Sequence, residues 1–125
     1  MGSEMCIRDR IYYLSTCSTC KTIINTWKLN DSIKLVDVKK TPISSKDLEY
    51  IYSITKSYEE LFNKRALLFR GIKKEAKNIT EELYKELILK HYSFLKRPIL
   101  IIKKKLFIGN SKETVLKAKI ELTKL

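Results

Sequence analysis

Apolar residues recur along this chain at two periods, and the switches between them mark the elements. Ile11-Tyr12-Tyr13-Leu14 is a short apolar run that reads as a strand. Ile23, Ile24 and Trp27 then repeat at helical spacing. Ile33 to Val38 alternates and is rich in β-branched residues, which predicts a second strand. With one helix in so short a connection, the two strands form a parallel β-α-β unit. Lys39 to Ile43 is a turn, and Ser44 or Ser45 caps a helix whose apolar face is Leu48, Ile51, Tyr52 and Ile54.

The middle of the chain reads as short helical pieces. Tyr58, Leu61 and Phe62 make one stripe, and Ala66, Leu67, Phe69 and Ile72 another, with Gly71 as its C-terminal stop. Thr80, followed by Glu81 and Glu82, opens a helix through Leu83, Leu87 and Ile88 that ends near His91. Arg97-Pro98 leads into Ile99-Leu100-Ile101-Ile102, a continuous apolar run expected to be a buried strand. Lys103 to Lys105 turn the chain into Leu106-Phe107-Ile108, an antiparallel hairpin partner. Gly109-Asn110 ends that strand, and Asn110 with Glu113 reads as the capping box of a closing helix. The order β-α-β, helices, β-β-α predicts an α/β fold of thioredoxin-like type. It is a four-stranded mixed sheet with flanking helices and a helical insertion.

The candidate chemistry sits at the first strand-to-helix junction. Cys17-Ser18-Thr19-Cys20 places two thiols where a helix N-terminus offers unpaired N–H groups and a positive dipole end, which favour a thiolate. Cys17 is the candidate nucleophile, and Cys20, three residues on, the candidate resolving thiol. Buried, inert cysteines are the plainer reading, but a C-x-x-C beside a β-α-β pattern favours redox use. A zinc site is disfavoured, because one such pair supplies two ligands and His91 is the only histidine. Cys17 is expected to be the more exposed and more acidic thiol. Arg97 and Arg65 are the candidate oxyanion binders, since a guanidinium gives bidentate contacts to tetrahedral oxyanions. For Arg65 a solvated helix face is the alternative.

Composition narrows the class. The chain has 125 residues, three cysteines and a net charge of +12. That is one domain's worth of chain, and the odd cysteine count argues against a secreted disulfide framework. The expectation is a soluble, cytoplasmic monomer without membrane or specific nucleic-acid binding. The lysines read as a solvated surface, with an acidic partner or weak nucleic-acid contact as the alternative. Residues 1–10 lack periodicity, and Glu4 to Arg10 resembles the in-frame translation of a sequencing adapter. They are expected to be a non-native or disordered extension to a single domain over residues 11–125, with Cys6 outside the site.

Taken together, these residues resemble the ArsC family, which holds glutaredoxin-linked arsenate reductases, Spx transcriptional regulators and small YffB-type reductases. The resemblance rests on Cys17-x-x-Cys20, Lys64-Arg65-Ala66, Phe94 to Ile99 and Leu106-Phe107-Ile108-Gly109. It implies a catalytic cysteine at Cys17 and oxyanion-binding arginines at Arg65 and Arg97. It also implies a cis-proline at Pro98 packed against the cysteine loop. No bound cofactor or metal is implied; glutathione, glutaredoxin or thioredoxin is the implied reductant. Three features depart from the arsenate reductases. A third arginine is replaced by Ile108-Gly109-Asn110, His91-Tyr92 stands where many members carry His-Pro, and Cys20 belongs to the Spx-like branch. Lys103 to Lys105 is the basic run that could stand in for the missing arginine. Two functions follow as expectations: a thiol-dependent reductase acting on a disulfide, mixed disulfide or oxyanion, or a redox-sensing regulator that binds RNA polymerase.

Overall fold

The computed structural model describes residues 9–29, 33–75, 78–102 and 104–124. Cys6, most of the expected extension, and Lys103 lie outside them. The chain divides into two compact units, one running to Thr41 and resuming at Arg97, the other Pro42–Lys96.

The first unit holds the sheet. Its strands are β1 (Arg10–Tyr13), β2 (Lys34–Asp37), β3 (Ile99–Ile102) and β4 (Lys105–Ile108), in the order β2-β1-β3-β4. β1 runs parallel to β2, with Tyr13 opposite Asp37, and antiparallel to β3, with Tyr12 opposite Ile99. β3 and β4 form an antiparallel hairpin, with Ile99 opposite Ile108. Strand β1 begins one residue inside the expected extension, and the Asp9 carbonyl accepts a hydrogen bond from the Lys34 N–H at 3.0 Å. Every residue of β3 is buried, as its unbroken apolar run requires of a central strand.

Helix α1 (Ser18–Trp27) and the closing helix α5 (Lys112–Thr123) share one hydrophobic cluster with the sheet. Ile11, Ile23, Trp27, Leu100, Ile102 and Ala118 meet there. The Trp27 indole N–H donates to the Val115 carbonyl at 3.0 Å, which satisfies a buried donor and ties the two helices together. Ser111, rather than Asn110, caps α5, its hydroxyl accepting from the Thr114 N–H at 3.1 Å. The expected box is displaced by one residue because Gly109, at φ +93°, and Asn110 are spent leaving the strand.

The second unit contains α2 (Ser45–Thr55), α3 (Leu67–Glu75), α4 (Glu81–Lys90) and two short 3-10 turns, Glu59–Leu61 and Tyr92–Phe94. Of the two serines expected to cap α2, Ser44 does so, and Thr80 caps α4 as its sequence predicts, both through side-chain oxygens. Phe62 organises this unit, its ring lying 4.8 Å from Phe69, 4.7 Å from Tyr84 and 5.4 Å from Phe94. A single bridge joins Phe62 to Leu95. The stripe assigned to α3 is corrected in two places. Gly71 sits inside the helix rather than ending it, and Leu67 is 74% exposed. Only Phe69 of this helix is buried, so the register is set by one aromatic and not by the whole stripe.

Candidate active site

The loop from Leu14 to Cys17 is built by its neighbours on the sheet. The Cys17 N–H donates to the Leu14 carbonyl at 3.0 Å, closing a tight turn, and the Val38 N–H donates to the Tyr13 carbonyl at 2.9 Å. Cys17 then stands at the N-cap of α1, in extended conformation, and its carbonyl accepts from Lys21 at 3.2 Å. The helix thus starts at Ser18, and Cys20 falls one turn inside it.

The two thiols differ as that geometry demands. Cys17 is half-buried, whereas Cys20 is only 1% exposed. Burial works against the Cys17 thiolate. The Cys20 amide, the Cys20 thiol, the Thr19 amide and the Arg97 charge together outweigh it and hold Cys17 below the ordinary thiol value. For Cys20, burial dominates and pushes the thiol up. The backbone at Leu14 opposes this, and the Cys17 sulfur that Cys20 hydrogen-bonds reinforces it. One thiol is therefore poised to lose its proton while its neighbour keeps one and donates it.

Arg97 is half-buried, and the Arg97–Pro98 peptide is cis. Pro98 is buried, and its carbonyl accepts from Gly109 at 2.9 Å. Because Tyr12 pairs with Ile99, Pro98 lies at the end of the sheet where β1 runs out toward the cysteine loop. Cys17, Cys20, Arg97 and Pro98 thus belong to one end of one sheet. Arg65 stands in the other unit, exposed on the turn before α3, its N–H donating to Asn63 Oδ1 at 3.1 Å.

Lys104 and Lys105 do not stand in for the missing arginine. Lys105 pairs with Ile102 and Arg10 with Ile101, which puts the hairpin turn at the end of the sheet away from Cys17. The Lys105 ammonium is held by Glu121 at 2.9 Å. Among the described residues, no three His, Cys, Asp or Glu side chains come together as a metal site.

Asp37 is the residue that periodicity alone does not single out. Its Oδ1 accepts from the Ser15 N–H at 3.3 Å and from the Lys39 N–H at 3.2 Å, clamping the loop that carries Cys17. Hydrogen bonding from the Ser15 side chain, then from the Lys39 and Ser15 amides, with the Lys40 charge, lowers its pKa despite some burial. The available signal was a carboxylate among the apolar residues of β2.

Comparison with known proteins agrees with this arrangement. The model of the ArsC family matches residues 12–118. The chain belongs to the ArsC family. Two curated relatives from Streptococcus pneumoniae strains, each named global transcriptional regulator Spx, are 22% identical over 108 residues, covering 84% of this chain and 80% of theirs. An arsenate reductase from Vibrio cholerae superposes with a TM-score of 0.72 at 14% identity, covering 89% of this chain and 98% of that one. An ArsC-related protein from Brucella melitensis gives 0.65 at 24% identity, over 92% and 96%. Their common frame is the thioredoxin-like mixed sheet described above. No helix among the described residues is long and apolar enough to cross a membrane.

Proposed function

We propose that this ArsC-family protein is a thiol-dependent reductase that acts on disulfides or mixed disulfides, with Cys17 as nucleophile and Cys20 as resolving thiol. The asymmetry of the two thiols carries this reading: an accessible, acidified Cys17 hydrogen-bonded by a buried, protonated Cys20. The Cys17 thiolate attacks one sulfur of the substrate disulfide, the S–S bond breaks, and the departing thiolate takes up a proton. Cys20 then loses its proton and attacks the Cys17 sulfur, releasing the second substrate thiol and leaving a Cys17–Cys20 disulfide. Glutathione, glutaredoxin or thioredoxin returns the two electrons. Arg97 stabilises the attacking thiolate, and Pro98 lines the approach.

Arsenate is the weaker substrate on this reading. A tetrahedral oxyanion needs several charge-assisted donors, Asn110 occupies the region where the arsenate reductases carry an arginine, and losing one such donor costs on the order of 10²–10³ in rate. The test is glutathione/glutaredoxin-coupled turnover of a glutathione mixed disulfide against arsenate, for the native chain and Cys17→Ser. The mixed disulfide should turn over faster and Cys17→Ser should be inactive. Iodoacetamide labelling against pH should place Cys17 below the ordinary free-thiol value and Cys20 above it. Faster arsenate turnover, or Cys20 labelling first, would sink the assignment.

A second reading, a redox switch that binds RNA polymerase, is supported by the two relatives named Spx and by the thiol-to-thiol contact. Inactivity on both substrates, with a stable Cys17–Cys20 disulfide formed by peroxide, favours the switch.

A further inference from the structure

An open groove of about 560 Å³ runs along α1 and α5, within the size range of small-ligand sites. It opens at Ser18 and Thr19, the residues directly after Cys17, and continues past Thr22 to Thr26. Its opposite wall carries Lys112, Leu116 and Lys119 from α5. The floor includes Ile23, which is buried, and Val115, whose carbonyl holds the Trp27 indole, so the groove is preformed.

Its charge is one-sided. The lining residues include two lysines and no carboxylate. Helix α1 has no acidic residue. The two acids of α5 are engaged elsewhere, Glu113 with Lys117 at 2.8 Å and Glu121 with Lys105 at 2.9 Å. Lys112 and Lys119 therefore face the groove without a carboxylate partner among the described residues. Leu116, between them in sequence, is 60% exposed, which gives the groove an apolar middle. Lys112 and Lys119 are two helical turns apart, roughly 10 Å along the axis, a span that about three residues of extended chain cover.

We propose that this groove docks an acidic, extended peptide segment flanking the disulfide presented to Cys17, with Lys112 and Lys119 receiving two of its carboxylates. The proposal deepens the disulfide-reductase reading by naming the substrate's flanking chemistry, and rests on it for the role of Cys17. It divides the roles: Cys17 is the attacking group, and the lysines choose what is brought to it. Exposed pairs of this kind are individually weak and salt-sensitive, so two of them together give about a tenfold preference.

The probe is a fluorescein-labelled hexapeptide with two glutamates three positions apart, compared with its glutamine counterpart. Anisotropy titrations use the full chain, native and with Lys112→Glu plus Lys119→Glu. The native chain should bind the acidic peptide about tenfold tighter than the neutral one at low salt, and the charge-reversed variant should lose that preference. Equal affinity for both peptides, or a preference that survives charge reversal, overturns the proposal. A parallel assay follows reduction of hydroxyethyl disulfide, which has no acidic flank and should react equally with both proteins. Failure of that reaction in the native chain counts against the thiol reading alone, and the peptide titration still judges the groove.

Discussion

The sheet unit and the helical unit reach a dry core by different routes. In the sheet unit, register does the organising: Tyr12 opposite Ile99 and Ile99 opposite Ile108 bring the first strand and the distant hairpin to one end of the sheet, where Cys17 and Pro98 lie. Its core is mainly aliphatic, with Trp27 among the aliphatic side chains, and is spread over two helices and the sheet. The helical unit instead relies on local signals, the Ser44 and Thr80 caps, and on a cluster of rings around Phe62. The ring cluster shares one central residue, whereas the sheet unit's core has no such centre. The placement of Cys17 depends on the register of the sheet unit, and the aromatic part of the helical unit's core centres on Phe62.

Phe62→Ala is the sharpest way to break this contrast. It removes the shared ring of three aromatic pairs and should cost about 3–5 kcal/mol in a denaturant titration. The labelling midpoint of Cys17 below the transition should not move, since the residues that lower that thiol's pKa, Cys20, Thr19 and Arg97, all belong to the sheet unit. A shift in the midpoint would tie the two units' properties together.

A smaller effect is expected from Asp37→Ala. The variant loses the clamp on Ser15 and Lys39, worth about 1.5 kcal/mol for a half-exposed charged acceptor. Cys17 labelling should slow as the loop loosens. The pH dependence has a definite sign. Asp37 has a folded-state pKa below its ordinary value, so its stabilisation is present above about 3.9 and is lost as pH falls through the folded value. Acid titration of stability should show that component in the native chain and not in the variant. Identical acid profiles would remove Asp37 from the loop's support.

The mildest change sharpens the comparison from the helical side. Gly71 lies inside α3, and a Cβ added there meets nothing within 4 Å. Gly71→Ala should therefore stabilise the protein by up to about 0.8–1.0 kcal/mol through helix propensity alone. No gain in thermal or denaturant midpoint would mean that α3 is already ordered by something other than its own propensity.

Local pattern settled much of this protein before any contact was known. Alternation and apolar runs placed all four strands, because a strand's burial is written in adjacent residues. Thr80 identified its own cap, and the α2 cap was narrowed to Ser44 or Ser45, because that hydrogen bond spans only three residues. The position of Cys17 at a strand-to-helix junction was equally local, and with it the direction of its acidity. Other features depended on segments far apart in the chain. Arg97 influences Cys17 across eighty positions because β3 lies against β1. Asp37 holds Ser15 because β2 lies on the other side of β1. Lys104 and Lys105 were excluded, and Lys112 and Lys119 gathered over one groove, by the same topology. Sequence spacing determines which face of an element a residue occupies, but only the packed sheet and helices determine which faces meet.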